Sequence, residues 1–281
     1  MKKICILALS ALLLASCGKN ATDSDKLKLQ VYTSFYPVYD FTRTIGGDDI
    51  DLFSVVRSGA EPHDFEPTAA DIAKISKADV FIYHGNGTDA WAEKIAATLP
   101  DSVEKVCLSD ADIVLTGDAH TWLSLQNAER ELEAVYKALS TADDNEENNS
   151  KYLDRLVAYD MKLDALENEY EAANLSGMPL AVSHSAFGAL CEETGMNQLP
   201  IATASGSDPS PAQMAEVIEN IKNTGAKYVF FDPIDGDKLA QGAAQEAGVE
   251  TAELYAFEGD DQGRDYETVM RFNLEQLKKA R

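Results

Sequence analysis

Four histidines occur in the 281-residue chain, and three sit in loops that can present a side chain. His63 lies in Arg57-Ser58-Gly59-Ala60-Glu61-Pro62-His63-Asp64. His120 lies in Gly117-Asp118-Ala119-His120-Thr121-Trp122-Leu123, after the run Asp112-Ile113-Val114-Leu115. His184 lies in Leu180-Ala181-Val182-Ser183-His184-Ser185. Near the C-terminus, Phe257-Glu258-Gly259 offers a carboxylate. Three imidazoles and a carboxylate suit zinc, a borderline cation that prefers tetrahedral N and O donors. The set holds no thiolate, as befits an exported protein whose free ligand cysteines would oxidise. A lone histidine is more often a surface or satisfied core residue, so the pattern alone marks a candidate site. Asp232, Glu253, Asp260 and Asp261 are alternatives to Glu258. His84, in Phe81-Ile82-Tyr83-His84-Gly85, reads as a ligand, a residue behind the ligands or a helix-start contact.

Each of these residues follows the carboxyl end of an apolar, strand-like run, where open α/β sheets place their ligand crevice. Strands are expected at 29–31, 52–56, 80–83 and 103–108, with helices at 38–45, 71–76 and 91–98 between them. This alternation predicts a mainly parallel sheet covered by helices. A helix follows at 127–139, then an acidic, Asn-rich break at 142–150 read as a solvated loop. Residues 151–174 contain no Gly or Pro, and Tyr152, Leu156, Tyr159, Leu163, Leu166 and Tyr170 fall on one helical face. Such a helix is about 36 Å long and can serve as a rigid spine. The βα pattern then resumes, with strands at 180–182, 228–231 and 253–255 and helices at 186–194, 211–224, 237–247 and 266–280. The fold class is α/β: two βα lobes with mainly parallel sheets joined by a long rigid helix, the candidate ligands meeting in the interlobe cleft. The expected division is an N-terminal lobe at 27–148, the linking helix at 149–176 and a C-terminal lobe at 177–281.

The chain begins with a signal peptide, residues 1–16: Lys2 and Lys3, then an apolar run too short to span a bilayer. Leu14-Ala15-Ser16-Cys17 is the pattern of bacterial lipoprotein processing, which would leave Cys17 lipidated. Residues 17–26 then form a polar tether. Cys107 and Cys191, far apart and without CxxC spacing, read as buried free thiols. The formal charge of −24 argues against nucleic acid and suits a cationic ligand. P-loop, complete GxGxxG and HExxH motifs are absent.

These residues resemble the zinc- and manganese-binding solute receptors of ABC transporters, which include zinc-uptake lipoproteins and streptococcal lipoprotein adhesins. Glu61-Pro62-His63-Asp64-Phe65-Glu66-Pro67-Thr68 is similar to the family's first ligand loop. Ala119-His120-Thr121-Trp122-Leu123 and Val182-Ser183-His184-Ser185-Ala186-Phe187-Gly188 are similar to the second and third. Phe257-Glu258-Gly259 with the helix at 266–277 resembles its end, so the likeness runs through nearly all of 29–280. It implies that His63, His120, His184 and Glu258 are the ligands, with no catalytic residues. The implied role is a lipid-anchored, extracytoplasmic, monomeric bacterial receptor that passes metal to the membrane permease of an ABC importer and is not an enzyme. His184 favours Zn2+; a Mn2+ or iron receptor is the alternative, ahead of a surface adhesin or a zinc hydrolase. Residues 115–119 lack the His- and acid-rich loop common in zinc members. Ser124-Leu125 and Ser185 stand where acidic or Asp-Pro residues are common. Metal affinity is expected to fall as pH drops through about 6.5, the ordinary imidazole value.

Overall fold

The computed structural model describes residues 28–57, 62–63, 65–114, 117–202, 209–260 and 263–281. The signal peptide and Cys17 lie outside the described residues. The first half builds one parallel sheet from β1 (Leu29–Thr33), β2 (Ile50–Ser54), β3 (Val80–Tyr83) and β4 (Glu104–Cys107), in the order β2-β1-β3-β4. Around it lie α1 (Tyr36–Gly46), α2 (Ala69–Ile75), α3 (Ala90–Ala96) and α4 (Leu125–Ala142). The long helix α5 (Glu146–Ala173) follows. A second parallel sheet holds β5 (Pro179–His184), β6 (Asn197–Ala202), β7 (Tyr228–Phe231) and β8 (Glu250–Glu253), in the order β6-β5-β7-β8. Its helices are α6 (Gly188–Thr194), α7 (Pro211–Thr224), α8 (Lys238–Ala247) and α9 (Tyr266–Ala280). Both strand orders reverse beside the first strand, which puts a ligand crevice at the carboxyl ends there.

Four sequence expectations need correction. Residues 111–114 form no strand. The Asn127 side chain instead pairs both backbone groups of Val114, accepting from its N–H at 2.8 Å and donating to its carbonyl at 3.0 Å. The break at 142–150 shrinks to Asp143–Asn145, because Glu146 and Glu147 join the first turn of α5, where negative charge suits the helix dipole. The last strand runs from Glu250 to Glu253, and Leu254–Phe257 turns into the core. Strand β6 went unread: Gln198 and Pro200 mask its pattern, and proline is tolerated at the edge position β6 occupies.

Helix α5 is about 42 Å long at roughly 1.5 Å per residue. Its face of Tyr152, Leu156, Tyr159, Leu163, Leu166 and Tyr170 is buried. Arg155 donates to the Ile45 and Gly46 carbonyls at the end of α1 (3.0 and 2.8 Å). Further along, Tyr159 Oη accepts from Glu267 N (3.0 Å), and Tyr170 Oη donates to Met270 O (2.8 Å). One helix is thus tied to α1 and to α9. Helix α9 in turn reaches the first half: Tyr266 N donates to Asp40 Oδ2 (3.0 Å), and Tyr266 Oη donates to Trp122 O (2.6 Å). The larger core runs continuously through the first sheet, α4, α5, α6, residues 254–257 and α9. A smaller core fills the space between the second sheet, α7 and α8.

Candidate metal centre

Separate elements bring the candidate donors together. His63 leaves β2 and precedes α2, whose start is fixed by a reciprocal Thr68–Asp71 capping box. His120 immediately precedes a single 3-10 turn, Thr121–Leu123. His184 is the last residue of β5. Glu258 follows Phe257, which holds φ +63, a left-handed conformation costly for a bulky residue. Phe257 is kept there by burial and by the rings of Tyr36 and Tyr266, 5.1 and 5.6 Å away.

Three donor atoms converge. His63 Nε2 lies 3.4 Å from His120 Nε2 and 3.1 Å from Glu258 Oε1, and His120 Nε2 lies 2.8 Å from the same oxygen. Tetrahedral donors about 2.0–2.1 Å from zinc stand about 3.3 Å apart, so the triangle has the size of a tetrahedron face. His184 stands further out, its Nε2 4.0 Å from Glu258 Oε2 and its ring centroid 5.8 Å from that of His120. Although His184 is buried, its Nε2 has no hydrogen-bond partner, an unmet polar atom beside the cluster. Its Nδ1 lies 2.8 Å from Asp235 Oδ2, within ion-pair range but outside hydrogen-bond angles. Among the described residues, a second cluster of Glu129, Asp164 and Glu167 holds no imidazole.

Carboxylates behind the rings orient them. Asp118 Oδ1 sits 2.7 Å from His120 Nδ1, while Asp118 Oδ2 accepts from Gly188 N at 2.7 Å, which links the His120 loop to α6. Such a bond leaves Nε2 to face the candidate cluster with His63 and Glu258. Burial disfavours charge on His120, but the hydrogen bonds to Asp118 and Glu258 outweigh it and push the imidazole up to about 9. Burial likewise opposes ionising Glu258, yet hydrogen bonds from His120 and His63 hold its carboxyl well below the usual range. For His184, burial is outweighed by Asp235 and the imidazole rises.

The alternative carboxylates are engaged elsewhere. Asp232 accepts from the N–H groups of Ile234 and Ala256 (2.9 and 2.7 Å), Glu253 from Tyr255 Oη (3.2 Å), and Asp260 from Gly263 N (2.7 Å). Asp261 lies outside the described residues. His84 lies behind the cluster, against Trp122. Ser124 caps α4, and Ser185 Oγ accepts from Gln198 (3.4 Å). Cys107 and Cys191 are free thiols; Cys191 is buried and Cys107 only partly so. Sequence reading missed Asp118 and Asp235. The first carried a signal, an acid two residues before a candidate ligand; the second is 51 residues from its histidine and carried none.

The family model of zinc-uptake complex component A, periplasmic, matches residues 31–280. The zinc-binding protein AdcA of Streptococcus pyogenes serotype M1 is 31% identical over 288 residues, 89% of this chain and 56% of AdcA. The chain thus spans little more than half the length of that relative. The high-affinity zinc uptake system protein ZnuA of Bacillus subtilis is 31% identical over 306 residues, 97% of this chain and 95% of ZnuA. The zinc-bound ZnuA-like domain of Streptococcus pneumoniae AdcA superposes with TM-score 0.78 at 30% identity, covering 90% of this chain and 98% of that domain. The laminin-binding protein Lmb of Streptococcus agalactiae, described as a bifunctional adhesin and metal transporter, gives TM-score 0.81 at 29% identity, covering 90% of this chain and 99% of Lmb.

Proposed function

The chain belongs to the zinc-uptake complex component A family, and from that premise we propose that it captures Zn2+ outside the cytoplasm and delivers it to the permease of an ABC importer. The observation that carries this reading is the convergence of His63, His120 and Glu258 at tetrahedral spacing, with the unmet Nε2 of buried His184 beside them. His63, His120 and Glu258 form the first face of the shell, and a small movement of His184 supplies the fourth donor. Four protein ligands leave no open position for water or substrate, so the centre is one of binding and not of catalysis. Three imidazoles favour zinc over manganese, which prefers carboxylate, carbonyl and water. Residues 27–148 and 177–281 act as the two lobes, with 149–176 between them. Lipid on Cys17 keeps the receptor at the bacterial cell surface, where it works as a monomer.

Competitive titration of the metal-stripped protein with zinc and manganese tests this, beside His184→Ala and Glu258→Ala. Stoichiometric zinc binding that manganese does not displace, weakened in both variants, is the expected result. Manganese preference would overturn the metal, and no tight binding of either would sink the receptor reading.

A further inference from the structure

His84 sits behind the centre, fully buried between the rings of Phe35 and Trp122, 6.1 and 4.9 Å away. Its Nδ1 is 3.1 Å from the Gly85 carbonyl and its Nε2 is 2.9 Å from Thr121 Oγ1. Thr121 Oγ1 is in turn 3.0 Å from Glu131 Oε1. Thr121 and Glu131 are also fully buried, and Thr121 directly follows His120.

Counting protons restricts this chain. A carbonyl only accepts, so Nδ1 carries a hydrogen. Thr121 has one hydroxyl proton for two neighbours. In one arrangement protonated Nε2 donates to Thr121, which donates to ionised Glu131. In the other, protonated Glu131 donates to Thr121, which donates to bare Nε2. The two contain the same protons and interconvert when Nε2 gives one to the hydroxyl as the hydroxyl gives its own to Glu131. Both orient the Thr121 side chain identically, and both pair His84 Nε2 and Glu131 Oε1, atoms that would be costly to bury alone. Burial works against charge on His84, but Glu131 outweighs it and raises the imidazole.

The same turn grips the rest of the His120 segment. Asn86 Nδ2 donates to Asp118 O and Thr88 Oγ1 to Ala119 O, both at 3.1 Å. Asp89 closes the turn by accepting from His84 N (2.8 Å) and Gly85 N (2.7 Å). Residues 118, 119 and 121 are each held from residues 84–88.

We infer that His84 is a positioning residue for metal capture, acting through Thr121 and Glu131 to fix the segment that presents His120. This rests on the reading of His120 as a ligand. Loss of a residue that orients a ligand typically costs about 10–100-fold in metal affinity.

The test is Thr121→Val, which keeps shape and removes both hydrogen bonds, beside Thr121→Ser and His120→Ala, in the metal-stripped full chain. Zinc affinity is measured by competition, and site geometry by the visible absorption of bound Co2+. Thr121→Val is expected to weaken zinc about tenfold or more and alter the Co2+ spectrum, with Thr121→Ser restoring both. A folded Thr121→Val protein with wild-type affinity and spectrum would overturn the inference. If that variant does not fold, 15N-histidine resonances of the wild type decide: a hydrogen on His84 Nδ1 supports the chain, and a bare Nδ1 overturns it. Zinc affinity untouched by His120→Ala would instead bring down the reading of the site, and this inference with it.

Discussion

Hydrogen bonds hold the Glu258 carboxyl well below the usual range and raise the His120 imidazole, so a cation that binds His120 should displace a proton. With the His120 imidazole at about 9, well above its ordinary 6.5, zinc affinity should climb with pH to about 9 instead of levelling near 6.5. Binding at pH 7.5 should release about one proton from His120. Calorimetry in buffers of different ionisation enthalpy reads this directly, and a buffer-independent heat would contradict it. The sign for folding follows from the same shift. A pKa raised in the folded state contributes stability that is full below about 6.5 and lost as pH rises through about 9, so metal-free protein should lose this contribution across that window. The candidate donors stood out in the sequence because each follows an apolar run, and the family resemblance marked the same four residues. Asp235 did not, since its contact with His184 crosses a long stretch of chain and leaves no local pattern.

Single side chains add specific ties between elements that the core already packs together. Asn127 pairs both backbone groups of Val114, and Asn273 does the same for Tyr255, accepting from its N–H and donating to its carbonyl (2.9 and 2.8 Å). Those pairings stand in place of ladder bonds at Val114 and Tyr255, where strand character was expected at 112–114 and 254–255. The face of α5 was legible because its period is uninterrupted. At the start of α6, a Cβ on Gly188 would lie 2.5 Å from Asp118 Oδ2. Gly188→Ala should displace Asp118 from His120 and weaken zinc about 10–100-fold, measured by competition; unchanged affinity would mean that Asp118 does not orient the ring. Between α4 and α5, burial and then the charges of Asp164 and Glu167 push Glu129 up to about 7. Its stabilising contribution is therefore full below about 4.5 and lost as pH rises through about 7. Glu129→Gln should stabilise the fold at pH 8 and not at pH 4, by less than about 1 kcal/mol after solvent screening, read as a rise in melting temperature at pH 8 alone. An equal gain at both pH values would point to packing instead of charge.

Across the whole molecule, the larger core crosses from the first sheet to α9, and α5 is bonded at both ends of its run. Rigid-body closure would break that packing, so metal uptake should work through the His184 and Glu258 segments and leave the lobes in place. X-ray scattering of metal-free and zinc-loaded protein should give radii of gyration that agree to within about 1 Å, well short of a hinge closure. A larger contraction would show that the lobes swing. The two tryptophans are placed where this local event occurs. Trp91 packs against Phe65, beside the His63 loop, with ring centroids 5.2 Å apart. Trp122 touches the His120 ring at 5.1 Å and donates to the carbonyl of Ala256, just before Glu258, at 2.8 Å. The chain thus carries a built-in optical reporter: metal binding at His120 should exchange a proton for a cation beside one indole, and the ultraviolet emission of the unlabelled protein should change with it.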